Sequence, residues 1–222
     1  MHSILIPASG SASRMRGLPK FLLPSGNGIL SLLENHIVNV ANFADEILIG
    51  LNPMFLDIVQ EANLELCGAH IIPMKTVTMT ETVLNLVNDS KADKFTILMP
   101  DTAFSSADSY KFDLLNSDLN LKLWKIRSDQ FGKLGQVLLG PTNEVLDLID
   151  KDFNCKYEYA WGALTFNREF THLLKPEFSH LGYGIVAALE AGLVVRADVA
   201  EGFFWDCGTP SEYIRYLLSK EI

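Results

Sequence analysis

The chain of 222 residues is nearly half apolar and one-fifth charged, a composition that is typical of globular proteins and excludes a disordered one. At this length it can form one large domain with a substantial core. Its formal charge of −9, from 18 Lys and Arg against 27 Asp and Glu, argues against partners that attract basic proteins, namely nucleic acid and anionic membranes.

The apolar runs are too short for a membrane span, and the first strand pattern begins so close to Met1 that we expect no signal peptide. The three cysteines, Cys67, Cys155 and Cys207, are scattered and lack C-x-x-C spacing. This pattern indicates a reducing compartment. We therefore expect a cytoplasmic protein that binds neither nucleic acid nor membranes.

The first informative stretch joins an apolar run at residues 4–6 to small residues at 7–13, and three cations follow, Arg14, Arg16 and Lys20. The apolar run predicts a buried strand. A loop of small residues lets backbone N–H groups approach an anion, and the cations supply the charge that a polyphosphate needs. The stretch therefore predicts a phosphate-binding loop, although a plain turn before a solvated basic segment fits the same residues. Neither G-x-G-x-x-G nor P-loop spacing is present in it.

Strand and helix patterns then alternate through the first half of the chain. Strands are predicted at residues 46–50, 69–73 and 95–99, and helices at 29–40, from 52 to about 66, and at 80–87. This alternation indicates βαβ units and a mostly parallel sheet. Ligands bind such sheets beyond the carboxyl ends of the strands. The loop after the first strand and Asp101, which follows the fourth, should therefore face the same edge.

The second half has a different pattern, with strands that include antiparallel ones. Strands are predicted at residues 119–126, 136–139, 145–149, 157–166 and 193–199, and helices at 182–191 and 210–219. Thr209, Pro210 and Glu212 form a start signal for the last helix. No composition shift or Pro/Ser-rich linker divides the chain, so we expect a single domain over residues 1–222.

The N-terminal stretch resembles the opening signature of the sugar-1-phosphate nucleotidyltransferases. Residues 8–15, ASGSASRM, are similar to A-G-G-x-G-x-R-M/L in that family, with Ser9 and Ala12 in place of two glycines. Residues 19–24, PKFLLP, match its P-K-x-L-L-P segment.

Two acidic positions extend this resemblance towards the C-terminus. Residues 206–210, DCGTP, resemble the family's D-x-G-T-P motif, which carries a metal-binding aspartate. Asp101 stands where the family has its other metal-binding aspartate, with Pro100 in place of the preceding glycine.

The resemblance implies an α/β fold, glycosyltransferase-A-like and Rossmann-type, with three layers and a mixed, mostly parallel central sheet. Residues 1–117 would form mainly the nucleotide-binding half and residues 118–222 mainly the acceptor-binding half. The implied reaction joins a nucleoside triphosphate to a sugar 1-phosphate and releases pyrophosphate, with Mg²⁺ as cofactor.

The resemblance also implies roles for individual residues. Asp101 and Asp206 would hold Mg²⁺, while Arg14 and Lys20 would act as catalytic cations. The implied nucleotide-binding residues are Ala8, Ser9, Gly10, Ser11, Ala12, Ser13 and Thr80. Asp150 and Lys151 occupy the family's E-K positions. The implied substrate-binding residues are Lys151, Glu158, Trp161 and Gly162.

Simpler interpretations of these residues stay open. Asp101 and Asp206 could each cap a turn, Lys151 could be a solvated lysine, and Trp161 could belong to the core. One alternative function is a cytidylyltransferase for a polyol or choline phosphate. Another is a catalytically weakened protein that binds nucleotide sugars. Homo-oligomer formation and the choice of base are also left open by the sequence.

Overall fold

The computed structural model describes residues 1–26, 30–114 and 116–219, and for Arg14 it describes only the backbone. The strands, in chain order, are β1 (His2–Ala8), β2 (Glu46–Leu51), β3 (His70–Pro73), β4 (Lys94–Leu98), β5 (Thr102–Phe104), β6 (Leu119–Lys125), β7 (Gly135–Leu139), β8 (Val145–Asp150), β9 (Tyr159–Asn167), β10 (Val195–Val199) and β11 (Phe204–Asp206). The α-helices are α1 (Leu32–Val40), α2 (Leu56–Glu61), α3 (Met79–Asp89), α4 (Gly182–Glu190) and α5 (Pro210–Leu218).

Nine of the strands in the described ranges form one sheet, along which the order is β10-β6-β9-β4-β1-β2-β3. The pairs of β1 with β2, β1 with β4, β2 with β3 and β6 with β10 are parallel, whereas β9 runs antiparallel to both β4 and β6. The hairpin of β7 and β8 joins the sheet through β9. This mixed, mostly parallel sheet confirms the predicted fold class.

Helices cover both faces of the sheet and produce the predicted three layers. Residues of α3 and α4 pack on one face, and residues of α1 and α2 pack on the other. Strand β1 is buried along its whole length because it lies at the centre of this arrangement. A strand covered on both faces reads as a continuous apolar run, which is why β1 could be predicted from sequence. Within the described ranges, none of the helices is both long and apolar enough to cross a bilayer.

Two predicted helices differ from those observed. The helix predicted from residue 52 to about 66 is a 3₁₀ turn followed by α2, which ends at Glu61. Asn63 adopts a left-handed φ of 47°, a conformation that a helix cannot continue through. The helix predicted at 29–40 begins at Leu32, after a capping box of Ser31 and Glu34, and residues 27–29 lie outside the described residues.

An unpaired residue in β9 changes the direction of its side chains at the carboxyl edge of the sheet. Lys122 pairs with Ala163 but Leu123 pairs with Trp161, so Gly162 is an extra residue between the two pairs. Such a bulge re-aims the side chains that precede it. Trp161 accordingly packs on the face covered by α3 and α4, whereas Ala163 packs on the opposite face.

The bulge requires glycine, which leads to a test of the fold. A Cβ at Gly162 would lie 2.5 Å from Phe204 Cε2 and 2.9 Å from Trp124 Cζ3. We expect Gly162→Ala to lower the free energy of unfolding by about 1–3 kcal/mol through overpacking, as measured by urea denaturation. Gly10→Ala is the control, because a Cβ there would meet no atom within 4 Å. A Gly162→Ala variant as stable as the control would contradict this account of the bulge.

Candidate active site

A small second sheet brings two distant aspartates together. Strands β5 and β11 pair in antiparallel fashion, with Asp206 opposite Thr102. Just beyond this pair, the Cys207 N–H donates a hydrogen bond of 2.8 Å to the Asp101 carbonyl oxygen. Asp101 and Asp206 therefore lie on adjoining segments, as the sequence predicted for residues that share one site.

The two carboxylates share one nearby cation. Lys20 Nζ lies 3.0 Å from Asp101 Oδ2, and the two side chains are only 11% and 19% exposed. Burial, the Asp101 charge and then the Glu212 charge raise the pKa of Asp206 from 3.8 to about 6, while Lys20 opposes this increase. Among the described side chains, the negative charge around Asp206 therefore outweighs the opposing charge of Lys20.

The D-x-G-T-P motif around Asp206 also builds a turn and a helix start. The Gly208 N–H donates a hydrogen bond of 2.8 Å to Asp206 Oδ1, and a Cβ at Gly208 would lie 2.7 Å from the same oxygen. Thr209 then caps α5 by accepting from the Glu212 N–H, with Pro210 at the first helical position. Asp206 thus forms the turn, and among the described residues no hydrogen bond reaches its second carboxylate oxygen, Oδ2.

The donor set fits a hard divalent cation. Mg²⁺ prefers one or two carboxylates and completes its coordination with water and phosphate oxygens. A cation beside Asp101 and Asp206 would relieve the repulsion that raises the pKa of Asp206. Among the described residues, no group of three or more His, Cys, Asp or Glu side chains could hold a metal ion. Of these residue types in the described part of the chain, only Asp101 and Asp206 would therefore contribute to a cation site here.

The small-residue loop leaves the end of β1 next to β4, which precedes Asp101. Ala8 is buried at the end of β1, and Gly10, Ser11 and Ser13 are exposed. Ala12 has a left-handed φ of 53°, a conformation that suits the glycine of the family motif and strains alanine. A hydrogen bond of 2.9 Å from the Met15 N–H to the Ala12 carbonyl oxygen holds the end of the loop.

Three predicted residues of the nucleotide half need separate comment. The side chain of Arg14 lies outside the described residues, so its catalytic role stays a prediction. Thr80 is fully buried in the first turn of α3, and its hydroxyl has no hydrogen-bond partner in the described part of the chain. Thr80 thus exposes no surface to a nucleotide. Ser9 is also buried, because its hydroxyl contacts two threonines instead of facing the loop's outer surface.

The predicted acceptor residues lie at the same edge of the sheet. Ala163 of β9 pairs with Leu98 of β4, so Trp161 is level with the segment that carries Asp101. Lys151 is exposed directly after β8, and its Nζ lies 4.0 Å from Asp150 Oδ2. Glu158 is exposed just before β9.

Trp161 and Gly162 are packed more closely by neighbouring residues than a surface that only stacks against a sugar would be. The Trp161 indole nitrogen lies only 2.3 Å from the position of a Cβ on Gly135. Gly162 is buried against Phe204 and Trp124, so the structure shows a packing role for it. Their contacts with a substrate stay predictions.

Several neighbours of this edge have no signal in the sequence. His180 Nε2, for example, lies 3.4 Å from Asp150 Oδ2. A pocket that reaches Asp206 is lined by the cations Arg127, Lys133 and Arg215, each of which has an acidic neighbour. These residues belong to no motif, and only the fold brings them together.

Comparison with known proteins supports the fold assignment. No protein-family model matches the sequence, and no curated protein matches it. HddC from Yersinia pseudotuberculosis is 15% identical over 99% of both chains, with a TM-score of 0.75. The inositol-1-phosphate CTP transferase from T. maritima is 17% identical over 99% of this chain and 96% of that chain, with a TM-score of 0.78.

A third similar structure is the nucleoside-diphosphate-sugar pyrophosphorylase from Vibrio cholerae. It is 19% identical over 97% of this chain and 99% of that chain, with a TM-score of 0.74. These matches extend over almost the whole length of each protein. The chain therefore has the nucleotidyltransferase fold, as the motif resemblance predicted.

The electrostatics of Asp206 can be tested without substrate. Because its folded-state pKa of about 6 exceeds the ordinary 3.8, the folded protein holds this proton more tightly than the unfolded chain. Ionised Asp206 consequently lowers stability above pH 6. We expect Asp206→Asn to raise Tm by about 4 °C at pH 8 in EDTA, because the amide removes the charge and keeps the hydrogen bond from Gly208.

The stability gained by Asp206→Asn should depend on pH. The advantage of Asp206→Asn should shrink as pH falls from 6 towards 3.8, because the wild-type carboxyl becomes neutral in the folded state. Thermal denaturation between pH 8 and pH 4 measures the difference. An Asn variant that is no more stable than wild type at pH 8 would contradict the crowding of charge at Asp206.

Proposed function

We propose that the protein is a nucleotidyltransferase that joins a nucleoside triphosphate to a sugar 1-phosphate and releases pyrophosphate. One observation carries this proposal: Asp101, Asp206 and Lys20 meet at the carboxyl edge of the sheet, beside a loop of small residues. An anionic pair with an adjacent cation is suited to a magnesium-bound triphosphate. Similar structures contain bound nucleotides, GMP-PN in HddC and UTP in the UGPase of Acinetobacter baumannii, which supports the assignment.

The chemistry of this reaction makes modest demands on the protein. A phosphate oxygen of the acceptor attacks the α-phosphorus in line, the bond to the β-phosphate oxygen breaks, and pyrophosphate leaves. No protein nucleophile is required, so catalysis consists of positioning and charge neutralisation. Asp101 and Asp206 would hold Mg²⁺, which supplies positive charge to the phosphate oxygens when it is bound.

The chain's own groups would complete the site. Lys20, which already lies among the acids, would donate hydrogen bonds to an α-phosphate oxygen as negative charge shifts towards the leaving group. Backbone N–H groups of residues 10–13 would bind the outer phosphates, with Arg14 as an additional cation. On the acceptor side, Lys151 would bind the incoming phosphate, and Glu158 and Trp161 would contact the sugar.

A second candidate acceptor is supported by one specific comparison. The inositol-1-phosphate CTP transferase, whose TM-score to this chain is 0.78, acts by its name on a polyol phosphate and CTP. A cytidylyltransferase for a polyol or choline phosphate therefore remains an alternative with the same phosphate chemistry. The difference between the candidates lies in the acceptor half.

A substrate screen distinguishes these functions. ATP, CTP, GTP, UTP and dTTP are each combined with hexose 1-phosphates, inositol 1-phosphate and choline phosphate in the presence of Mg²⁺. We expect pyrophosphate release that requires both substrates and is abolished by EDTA. Release with a hexose phosphate supports the main proposal, and release only with inositol or choline phosphate supports the alternative. A protein that binds nucleotide sugars but releases pyrophosphate with no pair would overturn both.

The role of Lys20 can be tested separately. Removing its charge from the transition state should lower kcat by about 10²–10³-fold in Lys20→Ala, measured as the initial rate at saturating substrates. Lys111→Ala is the matched control, because Lys111 also pairs with an aspartate, Asp108 at 2.6 Å, but on the exposed surface. Equal kcat values in the two variants would remove Lys20 from the mechanism.

A further inference from the structure

Three hydroxyl groups form a closed triangle behind the phosphate loop. Ser9 Oγ lies 2.7 Å from Thr76 Oγ1 and 2.5 Å from Thr82 Oγ1, and the two threonine oxygens are 2.6 Å apart. Thr82 is fully buried, and Ser9 is only 7% exposed. Ser9 is 67 residues from Thr76 and 73 from Thr82 in the sequence, so the triangle, which we call the hydroxyl ring, is a tertiary contact.

The hydroxyl ring joins three segments at the carboxyl edge of the sheet. Ser9 belongs to the loop after β1, Thr76 to the segment of residues 74–78 after β3, and Thr82 to α3. The backbone of Ser9 is also held, because Asn52 Nδ2 donates a hydrogen bond of 2.8 Å to its carbonyl oxygen. Gly50 leaves room for this arrangement, since a Cβ there would lie 2.9 Å from the Thr82 methyl carbon.

The hydroxyl protons of the ring can all be used inside the protein. Each hydroxyl has one proton to donate. Around the ring, each group can donate once and accept once. Alternatively, Thr82 donates to the Thr78 carbonyl oxygen, 3.1 Å away, and Ser9 and Thr76 donate within the ring. In both arrangements the Ser9 hydroxyl bonds to the protein, which gives it a structural role that requires no phosphate.

The loop and the 74–78 segment both include exposed residues. Gly10 and Ser11 are exposed in the loop, and Val77, in the 74–78 segment, is 95% exposed. Glycine at position 9, as in the family motif, could not make the side-chain hydrogen bond that joins the two segments through Ser9 and Thr76. The serine that departs from the motif therefore adds a contact, and loss of the motif glycine does not indicate a decayed site.

We propose that Ser9 is a positioning residue that fixes the phosphate loop relative to the 74–78 segment before a nucleotide binds. This inference rests on the proposed function, in which the nucleoside triphosphate occupies the edge between these segments. A prearranged edge does not have to be ordered when ligand binds, so its affinity for triphosphate is higher. The ring should have no direct effect on acceptor binding or on the rate of the chemical step.

The test compares Ser9→Gly, Thr76→Val and the double variant. Titration calorimetry is performed with ATP, CTP, GTP, UTP and dTTP in turn, without acceptor, and steady-state rates are measured with the active substrate pair. We expect each single variant to weaken binding of the preferred triphosphate by about tenfold and to raise its KM equally. The double variant should bind no more weakly than the single variants, because all three break the same ring.

A split between kinetic constants separates positioning from general loss of stability. The acceptor KM and the kcat at saturating triphosphate should stay within about twofold of wild type. Thr165→Val is the control, because it removes a buried hydroxyl that lies 2.8 Å from Thr96 Oγ1 in the sheet, away from the loop. That variant should lose stability but keep wild-type triphosphate affinity.

Hydrogen exchange tests the ring in the ligand-free protein. Ser9→Gly should increase amide exchange both in residues 10–13 and in residues 74–78, and Thr165→Val in neither. If the wild-type protein binds triphosphate and Ser9→Gly binds it equally well, the inference is wrong and the proposed function stands. If the wild-type protein binds none of the five triphosphates, the proposed function and this inference are both wrong.

Discussion

The antiparallel pairing of β5 with β11 is the constraint on which the candidate site depends. It places Asp206 beside the segment of Asp101, where burial and like charge raise the pKa of Asp206 to about 6. A folded protein tolerates such crowding only when something offsets it, and Lys20 does so incompletely. Carboxylates that are held together against their mutual repulsion are common where a cation or a proton has a function. The electrostatic cost of holding Asp206 beside Asp101 is therefore evidence about the function of the site.

The rest of the fold positions this pair and its surroundings. The parallel neighbours β1 and β4 deliver the small-residue loop and Asp101 to one edge, and β9 brings Trp161 to the same edge from the opposite direction. The bulge at Gly162 turns Trp161 towards Gly135, which pairs with Asp150 of β8. Ser9 and Ala12, which replace two glycines of the family motif, each have a local structural effect. Ser9 gains the hydroxyl ring, whereas Ala12 only strains its backbone.

The sequence predicted the parts of the structure that local patterns encode. Continuous apolar runs identified the buried strands of the central sheet, and Thr209 with Pro210 identified the start of α5. The short strands β5 and β11 were missed because three residues carry too little periodicity. The hydroxyl ring and the contact of His180 with Asp150 could not be predicted, since each joins segments that are distant in sequence. The motif resemblance pointed to the two acids, and the fold shows that their segments adjoin.

The account's central claim is that Asp101 and Asp206 form one divalent-cation site that serves a bound triphosphate. Crystals grown with Mn²⁺ and a triphosphate carrying a non-hydrolysable α–β bridge test it most directly, because Mn²⁺ prefers the same oxygen ligands and gives an anomalous signal. We predict one anomalous peak in contact with both carboxylates and with phosphate oxygens of the nucleotide. A peak elsewhere, or a nucleotide bound at this edge with no metal between the two acids, would contradict the claim.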